Sequence, residues 1–150
     1  MLIAVEVPGR VLGLDLGDVR IGVAISDDAR RLAVPLGTVQ VGRPPGELKA
    51  IAALIGEHGV TLVVLGLPLS LDGSHGPRAN HAEAFAETLR TVLHVPVAMQ
   101  DERFTTVEAE RGLRGAGLKG QDRRSVVDAE AARIALQAWL DARRSGAFPD

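Results

Sequence analysis

The chain has 150 residues, 46% apolar and 24% charged, with a formal net charge of −2. That describes one globular domain and argues against a protein that grips nucleic acid by bulk positive charge. With no cysteine it builds neither a disulfide nor a thiolate metal site, which suits a reducing, cytoplasmic setting. No apolar run reaches the roughly 18–20 residues of a membrane span, and the opening Met-Leu-Ile-Ala-Val-Glu-Val-Pro lacks the basic region of a signal peptide.

Residues 1–10 read as a short N-terminal extension, 11–145 as the domain and 146–150 as a C-terminal tail. Val11-Leu-Gly-Leu-Asp-Leu-Gly17 and Arg20-Ile-Gly-Val-Ala-Ile-Ser26 predict a hairpin about Asp18-Val19, although Val is poor chemistry for a tight turn. In that register Asp15 faces Gly22, Gly13 faces Ala24 and Gly17 faces Arg20. Leu16/Ile21, Leu14/Val23 and Leu12/Ile25 share the opposite face. The aliphatic face predicts core. The glycine–alanine face, which carries Asp15, predicts a surface kept clear for something to approach.

Arg31–Val39 is a third strand after the Asp27-Asp28 turn, and Gly42-Arg-Pro-Pro-Gly46 is a breaker. Glu47–His58 carries Leu48, Ile51, Ala52 and Ile55 at helical spacing, with Gly59 as its stop. Val60–Leu67 is a β-branched apolar run that fits a strand covered on both sides. It opens into Pro68-Leu-Ser-Leu-Asp-Gly-Ser-His-Gly76, a substrate loop or a long connection. Pro77 suits the first turn of a helix to about Leu93, with Ala82, Phe85, Ala86 and Leu89 as its buried stripe. Val95–Met99 is a short strand. Thr105-Thr-Val-Glu108 is a capping box opening a further helix, Gly112–Gly120 is a glycine-rich basic loop, and a last helix runs from about Arg123 to Arg144. The order predicts an α/β fold: a five-stranded mixed sheet, three antiparallel strands and then alternating helices and strands, flanked by helices.

Three carboxylates stand in unusual places. Asp15 lies inside an apolar strand, where a charge is expensive without a cationic partner. In the last helix Glu130, Arg133, Gln137, Asp141 and Arg144 make a regular polar stripe. Asp128 lies ~200° away from Glu130 at 3.6 residues per turn, on the apolar face with Ala131, Ala132, Ala135 and Trp139; the ordinary reading is a first-turn aspartate serving the helix dipole. Glu102 falls just past a strand's C-terminal end, where α/β sheets carry their sites; its neighbour Asp101 competes for that role, but strand alternation sends the two to opposite sides. Three carboxylates from three elements match the oxygen-rich coordination of Mg²⁺ or Mn²⁺. None of the four histidines has a zinc ligand-pair spacing, and only His75, in the glycine loop, is worth watching. P-loop, dinucleotide-binding and serine-elbow patterns are absent.

Of the 17 basic residues 15 are Arg, and between Arg103 and Arg124 six basic residues face three acidic ones. Arginine suits phosphate because its planar fork binds two oxygens at once, although charge runs are often only solvated surface.

The chain resembles the YqgF/RuvX family of Holliday junction resolvases, also described as pre-16S rRNA nucleases, over about residues 11–142. The resemblance rests on Gly13-Leu-Asp-Leu-Gly17 with Arg20-Ile-Gly-Val-Ala24, Gly66-Leu-Pro-Leu with Asp72-Gly-Ser, Asp101-Glu-Arg-Phe-Thr-Thr-Val-Glu-Ala109 and Val127-Asp-Ala-Glu-Ala-Ala132. It implies an RNase H-like fold whose acids, carried over by position, fall on Asp15, Glu102 and Asp128. Asp18 and Val19 depart from the family's small polar or basic turn, and the late loop is glycine- and Arg-biased rather than Lys-rich.

The expectation is therefore a metal-dependent nuclease in which Asp15, Glu102 and Asp128 hold two Mg²⁺ or Mn²⁺ ions. Arg20, Arg103, Lys119, Arg123 and Arg124 are candidates for the nucleic-acid backbone. The favoured substrate is an rRNA precursor, with ribosomal particles as further partners and a monomer or weak homodimer as the working form. A four-way DNA junction is the alternative. A more distant one is an ATPase of the actin/sugar-kinase type, whose phosphate loop also begins Asp-x-Gly but which needs two such domains.

Overall fold

The computed structural model describes residues 9–42, 46–103 and 120–145, and in the last helix the side chains from 125 to 144. The predicted helix opening at Thr105, the glycine-rich loop, Lys119 and the C-terminal tail lie outside the described residues.

Strands β1 (Arg10–Leu16), β2 (Arg20–Ser26) and β3 (Ala33–Gln40) form an antiparallel meander. Helix α1 (Gly46–His58) leads to β4 (Val60–Leu67), α2 (Pro77–Val92) to β5 (Val97–Asp101), and α3 (Gly120–Ser145) closes the domain. The strand order is β3-β2-β1-β4-β5, with β4 parallel to β1 and β5 parallel to β4. The sheet is thus mixed, as the order of elements predicts.

The hairpin register is the expected one, with Leu12, Gly13, Leu14, Asp15 and Leu16 opposite Ile25, Ala24, Val23, Gly22 and Ile21. Gly17 N–H donates to the Arg20 carbonyl at 3.0 Å and closes the turn. Among the described residues only Arg30 combines a side chain with positive φ, so Asp18 and Val19 do not form a primed turn. Val19 therefore keeps a backbone a β-branched residue tolerates, and its carbonyl accepts the Val41 N–H at 2.8 Å. Beyond β2, Asp27 Oδ1 accepts the Arg31 and Leu32 amides at 2.8 and 3.2 Å. Arg30, at φ 58°, is held by donating from Nε to the Gly9 carbonyl at 2.8 Å and from a terminal nitrogen to Thr61 Oγ1 at 3.0 Å.

Alternation along the strands separates two cores. Leu12, Leu14, Ile21, Val23, Val63 and Leu65 pack with Ile51 of α1 and Ala82, Ala86 and Leu89 of α2. On the other face Val11, Ala24 and Val64 pack with Ala132, Leu136, Trp139 and Leu140 of α3. The small-residue face is therefore not kept clear: α3 covers it. A Cβ on Gly13 would lie 2.8 Å from Leu136 Cβ, and one on Gly22 would overlap the Asp128 carbonyl oxygen. Gly13 and Gly22 admit α3 at close range, because a side chain at either would collide with it.

The polar stripe of α3 also does more than face water. Glu130 is buried and takes a two-point contact from Arg133, at 2.9 and 2.6 Å. Gln137 accepts the Ala33 N–H at 2.8 Å and donates to the Arg31 carbonyl at 2.9 Å, fastening α3 to the start of β3. Strand β5 begins two residues later than the periodicity predicts, so Asp101 lies within it and Glu102 at its end.

Candidate active site

Asp15 is 6% exposed, next to last in the central strand β1. Its antiparallel partner is Gly22. On the other side Leu14 pairs with Leu65, so the same parallel register sets Gly66 beside Asp15. A carboxylate thus stands between two glycines, on the face covered by α3.

Each glycine makes room for another acid. Glu102 continues the β4–β5 ladder by donating its N–H to the Leu67 carbonyl at 3.0 Å, and its side chain folds back across Gly66. A Cβ there would overlap a Glu102 carboxylate oxygen and lie 2.9 Å from its Cδ. At Gly22 the helix backbone of Asp128 comes down onto the strand. The Asp128 carboxylate is met by Arg20, two residues before Gly22 and so on the same face: Nε donates to Oδ2 at 3.0 Å. Sequence-distant Asp15, Glu102 and Asp128 are thereby brought to one end of one face.

The set is all carboxylate, the donor chemistry of a hard divalent cation, and Gly66 is a cradle a Cβ would fill. The residues fit such an ion in kind, and they share one end of one face. They are not drawn together around one: among the described residues no group of three His, Cys, Asp or Glu side chains is arranged to hold a metal.

Asp101 goes the other way, as alternation requires. Arg103 donates to it from its backbone N–H at 2.8 Å and from Nε at 2.9 Å. Burial pushes the Asp101 carboxyl up, but those bonds and the guanidinium charge outweigh it and hold the group below the usual carboxylate range. The same hydrogen bonding raises Arg103. Arg103 with Glu102, Arg78, Ser70 and Leu71 lines a cavity of about 320 Å³. A second cavity of about 360 Å³ lies between the β1–β2 turn and α2, lined by Asp18, Arg78 and His81 among others.

Arg78 and His81 escape sequence reading because they look like the surface of α2, and only the fold turns them toward the β1–β2 turn. His75 instead pairs with Glu83 at 2.7 Å on the surface. The side chains of Arg123 and Arg124 lie outside the described residues, although their backbone belongs to α3.

A mixed five-stranded sheet with helices on both faces and an acid on its central strand defines an RNase H-like fold. A solved structure of Thermus thermophilus RuvC in complex with a Holliday junction substrate shares it, with a TM-score of 0.53 and 19% identity over 91% of this chain and 96% of that one. The RuvX family model, described as Holliday junction resolvase, matches residues 9–142, and the chain belongs to this family. Chloroflexus aggregans has a relative named "Putative pre-16S rRNA nuclease", 48% identical over 135 residues, 90% of this chain and 95% of that protein. An Anaeromyxobacter species has one of the same name, 48% identical over 91% of this chain and 99% of its own length. The chain is a nuclease.

Proposed function

We propose that the chain is a divalent-metal-dependent nuclease that trims the 5′ end of pre-16S rRNA in the cytoplasm during ribosome assembly. The observation that carries the reading is the row of acids: Asp15 between two glycines, with Glu102 folded over one and Asp128 seated against the other. The relatives' printed name supports the RNA substrate.

Asp15, Glu102 and Asp128 are the residues that would hold Mg²⁺ or Mn²⁺, which when bound activates water and stabilises the leaving oxygen of a phosphodiester. The chain's own contribution is to position. Asp15 sits on the central strand of the sheet, and α3 covers its face. Arg78 and Arg103 line the cavity that includes Glu102, and arginine suits backbone phosphates, contacts that orient a strand without reading its sequence; Arg103 would make one only on leaving Asp101. Lys119, Arg123 and Arg124 are further candidates for backbone contact, and Arg20 would join them once free of Asp128.

The test is Asp15→Asn with a pre-16S rRNA fragment. Loss of at least ~10³-fold in cleavage, with an unchanged melting curve and chelator-sensitive wild-type activity, is expected. Undiminished cleavage by the folded variant would refute the site. A second reading, cleavage of four-way DNA junctions, is supported by the description of the family. Matched RNA and junction substrates, with the oligomer mass measured alongside, separate the two.

A further inference from the structure

Asp128 already has a cation. Arg20 Nε donates to its Oδ2 at 3.0 Å, with the two side chains only 11% and 22% exposed. The contact is built by the same feature that seats the helix: because Gly22 has no Cβ, the α3 backbone at Asp128 drops onto β2 and brings the carboxylate to a residue two positions away.

We infer that Arg20 is an internal counter-cation that competes with the divalent ion for Asp128, so that Asp128 joins Asp15 and Glu102 only when Arg20 lets go. The inference rests on the metal-dependent reading above. A guanidinium and a metal ion both want the lone pairs of one carboxylate. Where both charges are largely removed from water, their mutual repulsion is poorly screened, which disfavours a shared arrangement. The competition gives Arg20 two successive partners: Asp128, as in this structure, and a substrate phosphate after release.

The experiment uses the full chain with Mn²⁺ and no nucleic acid, followed by titration calorimetry. Arg20→Gln is expected to bind Mn²⁺ about tenfold more tightly than wild type. On an Asp128→Asn background the same substitution should change nothing, because the contested ligand is gone. Equal affinity in wild type and Arg20→Gln overturns the competition and leaves the metal-dependent reading standing. Failure of both to bind Mn²⁺ overturns that reading, and the competition with it. Should Arg20→Gln not fold, the wild-type chain decides: the Arg20 Nε–H proton, slow to exchange while bonded to Asp128, should lose its protection as Mg²⁺ is titrated. Protection that persists at saturation overturns the inference.

Discussion

Replacing Gly66 by alanine separates the site from the fold. Gly66 lies in β4 without positive φ, so alanine is compatible with its backbone, and removing a strand glycine is worth roughly 0.5–1 kcal/mol in its favour. What the new Cβ meets is the Glu102 side chain, with Cδ at 2.9 Å. Retreat to the roughly 3.5 Å of a relaxed carbon contact moves that carboxyl by at least ~0.6 Å, and its nearer oxygen by more. The displaced group ends a flexible side chain next to a cavity, so the stability cost stays within about 1 kcal/mol, below that of ordinary overpacking. Catalysis is less tolerant, because a misplacement of ~1 Å costs on the order of 10²-fold. Gly66→Ala is therefore expected to unfold in urea close to wild type while losing about 10²-fold in cleavage rate. The buried Trp139 reports the unfolding, and single-turnover cleavage of a pre-16S rRNA fragment reports the rate. Wild-type activity in the folded variant would refute the placement of Glu102 at the reacting centre.

Gly22→Ala should behave in the opposite way. Its Cβ collides with helix backbone that cannot swing aside, so a loss of about 2–3 kcal/mol or more is expected in denaturant titration. Arg30→Ala keeps the positive φ but removes the bonds to Gly9 and Thr61, and should cost roughly 1.5–3 kcal/mol; a change below ~0.5 kcal/mol would show that other contacts hold that end of the sheet. The Asp27 carboxyl is held below its ordinary value by the Arg31 and Leu32 amides. Its folded pKa is depressed, so its stabilisation is present above the unfolded value of about 3.9 and lost as pH falls through the folded one. Asp27→Asn should therefore lose less stability than wild type between about pH 5 and about pH 3. Parallel acid-side curves would contradict the shift.

Much of this molecule is legible in one dimension because its strands obey a period of two. The hairpin register, and with it the pairing of Asp15 with Gly22, follows from matching Leu12, Leu14 and Leu16 to Ile25, Val23 and Ile21. Pro77 at the start of α2 and Gly59 after α1 follow from local backbone chemistry. Asp15, Glu102 and Asp128 can be singled out because each breaks a local pattern, and a charge that breaks an apolar pattern requires a partner.

The purpose of the small-residue face was not legible. Glycine and alanine in alternate positions state that something comes close, and the same residues would serve a helix or a phosphate. Only the packing of α3, with Asp128 against Gly22 and Leu136 against Gly13, decides for the helix. The partners of the charges were hidden for a related reason. Arg20 and Asp128 are 108 residues apart, and Arg103 reads as a phosphate contact until the turn after β5 folds it onto Asp101. Local sequence determined which residues were out of place, because propensity and periodicity act over a few residues. Which cation answers Asp128 was decided by the tertiary fold, because Coulomb attraction depends on distance in space and not along the chain.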